Sequence, residues 1–330
     1  MMYDDEKRFT KRHWYAILFL MVVLGVIAIW QGFGQTADVS QPDGTPSEIH
    51  PEFAFAFEGD QAGVVESTFY TGMLDGAYVN LHPVTYTEAN GYAVYQGDII
   101  LRSDVAQLGL GIAPRNDYLW TNNLVPYAID SNMVEQSRIT DAIAYWEEHS
   151  EMRFVERTNA NASEYPNYIR FVTSTGCASY VGMQGGAQRL FLSPRCSTGN
   201  TIHEIGHALG LWHEQSRNDR DDYVDVRFEN IYRGYEHNFQ IQADNGEDLG
   251  VYDYGSIMHY PSWAFSKNGN DTIIPLQDGV EIGQRTHLSD GDLAAIAQMY
   301  GYAAEHVSDF EAYTDYSFEG EFGGYGCEDH

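Results

Sequence analysis

The segment His203-Glu204-Ile205-Gly206-His207-Ala208-Leu209-Gly210-Leu211-Trp212-His213-Glu214 constrains this chain more than any other stretch of it. It reads H-E-x-x-H-x-x-G-x-x-H, followed directly by Glu. His203 and His207 are four apart, so on a helix they share one face and can hold one ion. Gly210 can take φ > 0 and end that helix, which lets the chain turn and bring His213 to the same ion. Three neutral imidazoles leave one coordination position open, the ligand set of a catalytic zinc site rather than a closed structural one. Glu204, beside the ligands, is the candidate general base of a metalloprotease.

A second segment, Ser256-Ile257-Met258-His259-Tyr260, follows further along the chain. Metzincins place a Met-containing turn beneath their three histidines. Together the two segments resemble the astacin family of zinc endopeptidases, whose pattern is the long zinc motif with Glu after the third His and then S-x-M-H-Y. The stretch from Gln215 to Val224, the pair Asn230-Ile231 and the pair Asn238-Phe239 fit the same pattern. Upstream, Trp120 and Val125-Pro126-Tyr127 are similar to the start of an astacin catalytic domain. Gly176-Cys177 through Gly182, Gly185-Gly186 and Cys196 are similar to its active-site edge. The similarity runs from about residue 112 to 302.

This resemblance implies an α+β, two-lobed zincin-like catalytic domain, one zinc ion per chain, and hydrolysis of peptide bonds in protein or peptide substrates. It assigns His203, His207 and His213 to the metal, Glu204 to the proton of the attacking water, and Met258 to the turn below. Tyr260 corresponds to a mobile zinc ligand that swings to the oxyanion in this family. His259 reads as a packed turn residue, since the ligand set is already complete. Glu214 is expected off the metal; its counterpart in mature family members meets the new N-terminal ammonium in a buried site, where neither charge is left alone. Cys177 and Cys196 are paired by the resemblance in a disulfide, with two free buried thiols as the other reading. Cys327 is left over as a free thiol or an intermolecular link.

The 330 residues leave room for more than this domain. In residues 1–35, Lys7, Arg8, Lys11 and Arg12 precede an uncharged apolar run over about residues 14–31, long enough to span a bilayer. The positive flank should stay in the cytoplasm and send the rest outward. An uncleaved membrane anchor and a signal peptide cut near Gly32-Phe33-Gly34 are both compatible with this pattern. Either one makes the rest of the chain extracytoplasmic.

Residues 36–112 open with a polar, Pro-containing linker and continue with short runs, Ala77-Tyr78-Val79-Asn80-Leu81 and Tyr92-Ala93-Val94-Tyr95, bounded by Gly and Asn as strands are. They read as a propeptide. Astacin propeptides carry an F-x-G-D-like motif whose Asp binds the zinc and displaces water. Phe57-Glu58-Gly59-Asp60 matches the letters better, whereas Tyr95-Gln96-Gly97-Asp98 lies closer to Trp120 and is followed by an apolar run. Asp98 is therefore the candidate ligand of the latent form. Cleavage between about residues 103 and 118, where Arg102 and Arg115 offer basic sites, should then activate the chain.

Within residues 113–302 the periodicity predicts a helix over Asn132 to Ser150, with Glu147 and Glu148 facing solvent, and sheet strands at Tyr168 to Val172 and Arg189 to Leu192. It predicts the zinc helix at about 200–210 and a last helix, Leu288 to Tyr300, with Ser289 as N-cap and Asp292 at N3. Residues 303–330 are acidic, aromatic and Gly-containing, without Lys or Arg. They read as a disordered tail or as a docking element. The net charge of −30 argues against nucleic acid as a partner, because phosphates demand Lys and Arg. A zinc-containing binding module that had lost catalysis, or a metzincin with another role, remains the alternative. The first would lack Glu204 or a histidine, and all four residues are present.

Overall fold

The computed structural model describes residues 64–67, 72–74, 77–79, 84–89, 91–101, 118–241 and 248–303. The apolar run at 14–31, Asp60, the basic sites Arg102 and Arg115, Cys327 and the acidic tail lie outside them. No helix among the described residues is long and apolar enough to cross a membrane.

The chain order begins with short strands β1 (Val64–Ser67), β2 (Gly72–Leu74), β3 (Ala77–Val79), β4 (Val84–Ala89), β5 (Tyr92–Tyr95) and β6 (Ile99–Leu101). Strands β1, β4, β5 and β6 form an antiparallel sheet in that order, and β2 pairs with β3. Of the two runs read from the sequence as extended, Ala77–Val79 of the first and Tyr92–Tyr95 are strands.

The next sheet is parallel. It comprises β7 (Leu124–Ile129), β8 (Arg153–Glu156), β9 (Tyr168–Thr173) and β10 (Ala187–Leu192), in the order β10-β9-β7-β8. Helix α1 (Ser137–His149) crosses between β7 and β8, as parallel pairing requires. This helix starts later than the predicted Asn132, because Glu135 sits at φ 53, a left-handed conformation that no α-helix continues through. Glu147 is half-buried rather than solvated; its carboxylate accepts the Phe154 N–H at 2.8 Å and so ties α1 to β8. Ile139, Ile143 and Trp146 recur along one face and are buried against α2 (Thr198–Leu209). The Trp146 indole donates to the Ile202 carbonyl at 3.1 Å.

Helix α2 is the centre of the molecule. Its residues from Gly199 to Leu209 are all buried, the polar ones among them being Asn200 and Thr201 of the first turn and His203, Glu204 and His207 of the site. Ser197 and Asn200 form a reciprocal cap at its start. At its end Gly210 adopts φ 116, and the Trp120 indole donates to the Ala208 carbonyl at 2.8 Å. Beyond Gly210 the chain continues mainly through short 3₁₀ turns. A small two-stranded sheet pairs β11 (Val224–Val226) with β12 (Ile273–Pro275), and α3 (Asp290–Tyr300) closes the described chain. Ser289 caps α3 with Asp292 as its N3 partner. Two apolar cores among the described residues flank the zinc motif. One, with Trp120, Trp146, Phe171, Leu209 and Met258, lies between the parallel sheet and α2. The other, with Phe239, Tyr252, Tyr260 and Ile273, lies below the zinc motif.

Candidate active site

The site sits between these cores, and each part of it is placed by backbone. The turn at Gly210 does two things at once. It lets Leu211 return onto the helix, with its N–H on the Gly206 carbonyl at 3.0 Å, and it presents the Leu211 carbonyl to His207 Nδ1 at 2.8 Å. His203 Nδ1 meets the Ile257 carbonyl at 2.8 Å, and Ile257 belongs to the Met-containing turn. Met258 lies under the helix so closely that a Cβ on Gly206 would stand 2.9 Å from its sulfur. The turn is fixed from the far side by Asp292. One carboxylate oxygen takes the Ser256 hydroxyl at 2.6 Å, and the other takes the Ile257 N–H at 2.9 Å. The residue predicted only as part of a helix cap is thus also the anchor of the turn beneath the ligands.

The hairpin of β5 and β6 reaches this site from the other side. Tyr95 pairs with Ile99, leaving Gln96-Gly97-Asp98 as a tight connection with Gln96 at φ 47 and Gly97 at φ 79. A Cβ on Gly97 would stand 2.8 Å from the Phe265 ring, so glycine is needed for both conformation and space. The Asp98 carbonyl accepts the Ser179 N–H at 2.9 Å and the Ile100 N–H donates to the Ser179 carbonyl at 2.7 Å, so the hairpin adds to the edge beyond Cys177. Val94 and Ile100 pack there against Val172, Ala178 and Phe191.

As a result the Asp98 carboxylate stands among the three imidazoles. Its oxygens lie 3.3 Å from His203 Nε2, 3.7 Å from His207 Nε2 and 3.1 Å from His213 Nε2. The four ligand atoms all fall within 4.8 Å of one another. The residues fit a metal ion. His203 and His207 turn Nδ1 toward carbonyl oxygens, which only accept, so Nδ1 carries the hydrogen and Nε2 of a neutral ring presents a lone pair. Burial holds these rings neutral, pushing His203 down to about 4, helped by the Arg285 charge, and lowering His207 as well. Lone pairs would then face a carboxylate, and His207 Nε2 and Asp98 Oδ1 are buried without a hydrogen-bond partner. A cation between them resolves this, and four donors at about 2.0–2.1 Å from one zinc ion would be about 3.3 Å apart.

Glu204 is buried beside this group, one of its oxygens has no partner, and burial followed by the Asp98 charge raises its affinity for a proton. Tyr260 is buried and its hydroxyl donates to the Gln96 carbonyl. His259 is packed in the turn, between the Tyr252 hydroxyl at 2.7 Å and the Tyr260 carbonyl at 2.7 Å, as expected of a residue without a ligand role. Glu214 points away from the histidines; it accepts the Asp253 N–H at 2.7 Å and faces Arg217 at 3.5 Å. Burial, opposed by Arg217, pushes its carboxyl up to about 8. Cys177 and Cys196 form a disulfide, which removes the reading of two free thiols. A cleft of about 370 Å³ opens beside the site, lined by Asp98, His203, Glu204, Tyr260, Trp263 and Arg285 among others. Gln96, Gly206, Arg285 and Asp292 are the site residues that sequence reasoning does not assign to it.

A central helix with two histidines, a third reached through a glycine turn, a Met turn below and a glutamate beside them define a metallopeptidase of the metzincin type. Residues 113–301 match the model of the peptidase family Astacin. The chain is 40% identical over 202 residues to the bone morphogenetic protein 1 homolog of Strongylocentrotus purpuratus, a match covering 57% of this chain and 32% of that protein. It is 41% identical over 194 residues to zinc metalloproteinase nas-13 of Caenorhabditis elegans, covering 57% and 42%. Among solved structures, high choriolytic enzyme 1, a hatching enzyme zinc-protease from Oryzias latipes, matches with 35% identity and a TM-score of 0.53, covering 58% of this chain and 99% of that one. The chain spans less than half the length of these curated relatives. It belongs to the astacin family, and its catalytic region is an α+β metalloendopeptidase domain whose cofactor is zinc.

Proposed function

We propose that this chain is an endopeptidase made as a latent precursor, with residues 36–112 as propeptide, 113–302 as catalytic domain and Asp98 on the position that catalysis needs. The observation that carries this reading is the Asp98 carboxylate among the three Nε2 atoms. His203, His207 and His213 would hold the zinc, joined by Asp98 in the uncut chain. Zinc, when bound, polarises a carbonyl and lowers the pKa of a coordinated water from 15.7 toward about 7. Glu204 takes the proton of the attacking water and passes it to the leaving amine; its burial and its unpartnered oxygen support that role. Tyr260, freed from the Gln96 carbonyl once the hairpin leaves, supplies a hydroxyl to the developing oxyanion. Met258 and the Asp292-anchored turn keep His203 in place throughout.

Proteins and peptides are the substrates, in line with relatives named as a zinc metalloproteinase and a hatching enzyme zinc-protease. Activation follows cleavage between about residues 103 and 118. The Cys177–Cys196 disulfide supports an extracytoplasmic site of action. Residues 1–35 would deliver the chain there as a signal peptide or a membrane anchor, and residues 303–330 would trail as an acidic tail. The test is to purify the full chain and measure zinc content and peptide hydrolysis before and after limited cleavage. About one zinc per chain, no hydrolysis when uncut, hydrolysis when cut and loss of it with a chelator are expected. An uncut chain as fast as the cut one refutes latency, and a cut chain that hydrolyses peptides after complete zinc removal refutes the mechanism.

A further inference from the structure

The three imidazoles are not held alike. His203 and His207 rest on the carbonyls of Ile257 and Leu211, both within the catalytic region. His213 Nδ1 instead lies 2.9 Å from the side-chain oxygen of Gln96, a residue of the covering hairpin. The orientation of that amide is determined by its other end. Its Nε2 lies 3.3 Å from the Gln240 carbonyl, which can only accept, so the nitrogen points there and the oxygen points at His213. Gln96 is fully buried, so water does not compete for this contact.

We infer that Gln96 is a positioning residue for the metal: by accepting from His213 Nδ1 it turns that ring's Nε2 to the ion, so the hairpin that covers the site also completes it. The inference rests on the reading of residues 36–112 as a propeptide. An acceptor on the far nitrogen of a metal-bound histidine fixes its tautomer and raises its basicity, and losing such a partner costs 10- to 100-fold in metal affinity. Cleavage removes Gln96 together with Asp98. The uncut chain therefore holds zinc more tightly than the cut chain, and by more than the Asp98 ligand alone accounts for. Zinc is best loaded before activation, and the activated form is the one a chelator strips first.

The experiment is competition for zinc between a chromophoric chelator and the full uncut chain, as wild type, Q96L, Q96E and D98A, each with its melting temperature measured in parallel. Leucine removes the acceptor at similar size, whereas glutamate keeps an oxygen that can accept from His213. Q96L is expected to weaken zinc binding by about ten- to a hundredfold, and Q96E to recover most of that loss. After cleavage and removal of the hairpin, the wild-type and Q96L products share one sequence and should share one affinity, below that of the uncut wild type. Q96L binding zinc within twofold of wild type overturns the inference. Equal weakening in Q96L and Q96E, with equally lowered melting temperatures, also overturns it, since that pattern marks a packing defect. The propeptide reading is tested separately by hydrolysis in uncut wild type and uncut D98A: full activity in the first sinks latency and silence in the second sinks the role of Asp98 in it, while the zinc measurements on Gln96 stand or fall by themselves.

Discussion

The zinc helix and the hairpin that covers it are built by opposite means. Helix α2 is buried along almost its whole length, capped at both ends and packed against α1 and the Met turn, so its geometry belongs to the main core. The hairpin is held by two backbone hydrogen bonds to Ser179, by a small apolar cluster with Val172, Ala178 and Phe191, by Tyr92 on Arg189 and Tyr95 on Trp212, and by the contacts of three turn residues with the site. The first belongs to the main core; the second is buried against the site but rests on it as a separate antiparallel sheet. On the proposed function, catalysis belongs to the first of these parts and control to the second.

The largest expected effect attacks the first part. Glu204→Ala in the cut enzyme should lower turnover by about 10² to 10⁴, because a positioned base is worth that much, while zinc remains bound. An unchanged rate would falsify the assignment of the proton to Glu204. A smaller effect lies at the boundary between the two parts. The Tyr260 hydroxyl is bound to the Gln96 carbonyl; on the proposed mechanism it becomes free for the oxyanion once the hairpin leaves. Tyr260→Phe should thus reduce kcat by about 10²- to 10³-fold in the cut enzyme with little change in KM. A rise in KM alone would make Tyr260 a substrate contact instead.

The disulfide offers the smallest and most discriminating test. It closes a loop with a sequence separation of 19, worth about 3 kcal/mol of stability in the chain-entropy account. Cys177 also adjoins Ala178 and Ser179, the edge on which the hairpin rests. Replacing both cysteines by Ala should lower the melting temperature of cut and uncut forms alike. If only the uncut form is affected, the bridge serves the hairpin edge and not the catalytic core, and the boundary between the two parts lies elsewhere.

Much of the core part is legible in the sequence because its geometry is encoded by spacing. Two histidines four apart need a helix, a glycine after them allows the left-handed turn, and Ser289 with Asp292 spells a cap. All three are present in the fold. The true start of the first helix is not legible, since one left-handed residue, Glu135, overrides an otherwise helical pattern from Asn132. Long-range partners are not legible either. Asp292 reaches the Met turn, Gly206 makes room for Met258, and Gln96 meets His213 only because the fold brings distant segments together. In a four-letter motif, Gln96 is the variable letter, and nothing local marks it as a partner of a histidine. Asp98 is legible through the family resemblance and its closeness to Trp120, since Asp60 also follows a glycine.

Latency depends on whether Asp98 keeps the site shut. The most direct measurement is the rate of peptide hydrolysis by the zinc-loaded, uncut Asp98→Ala chain, set beside uncut wild type and uncut Asp60→Ala. Hydrolysis by the Asp98 variant alone, with the other two silent, is the predicted result. A silent Asp98 variant beside an active Asp60 variant, or an uncut wild type already at full rate, would contradict it.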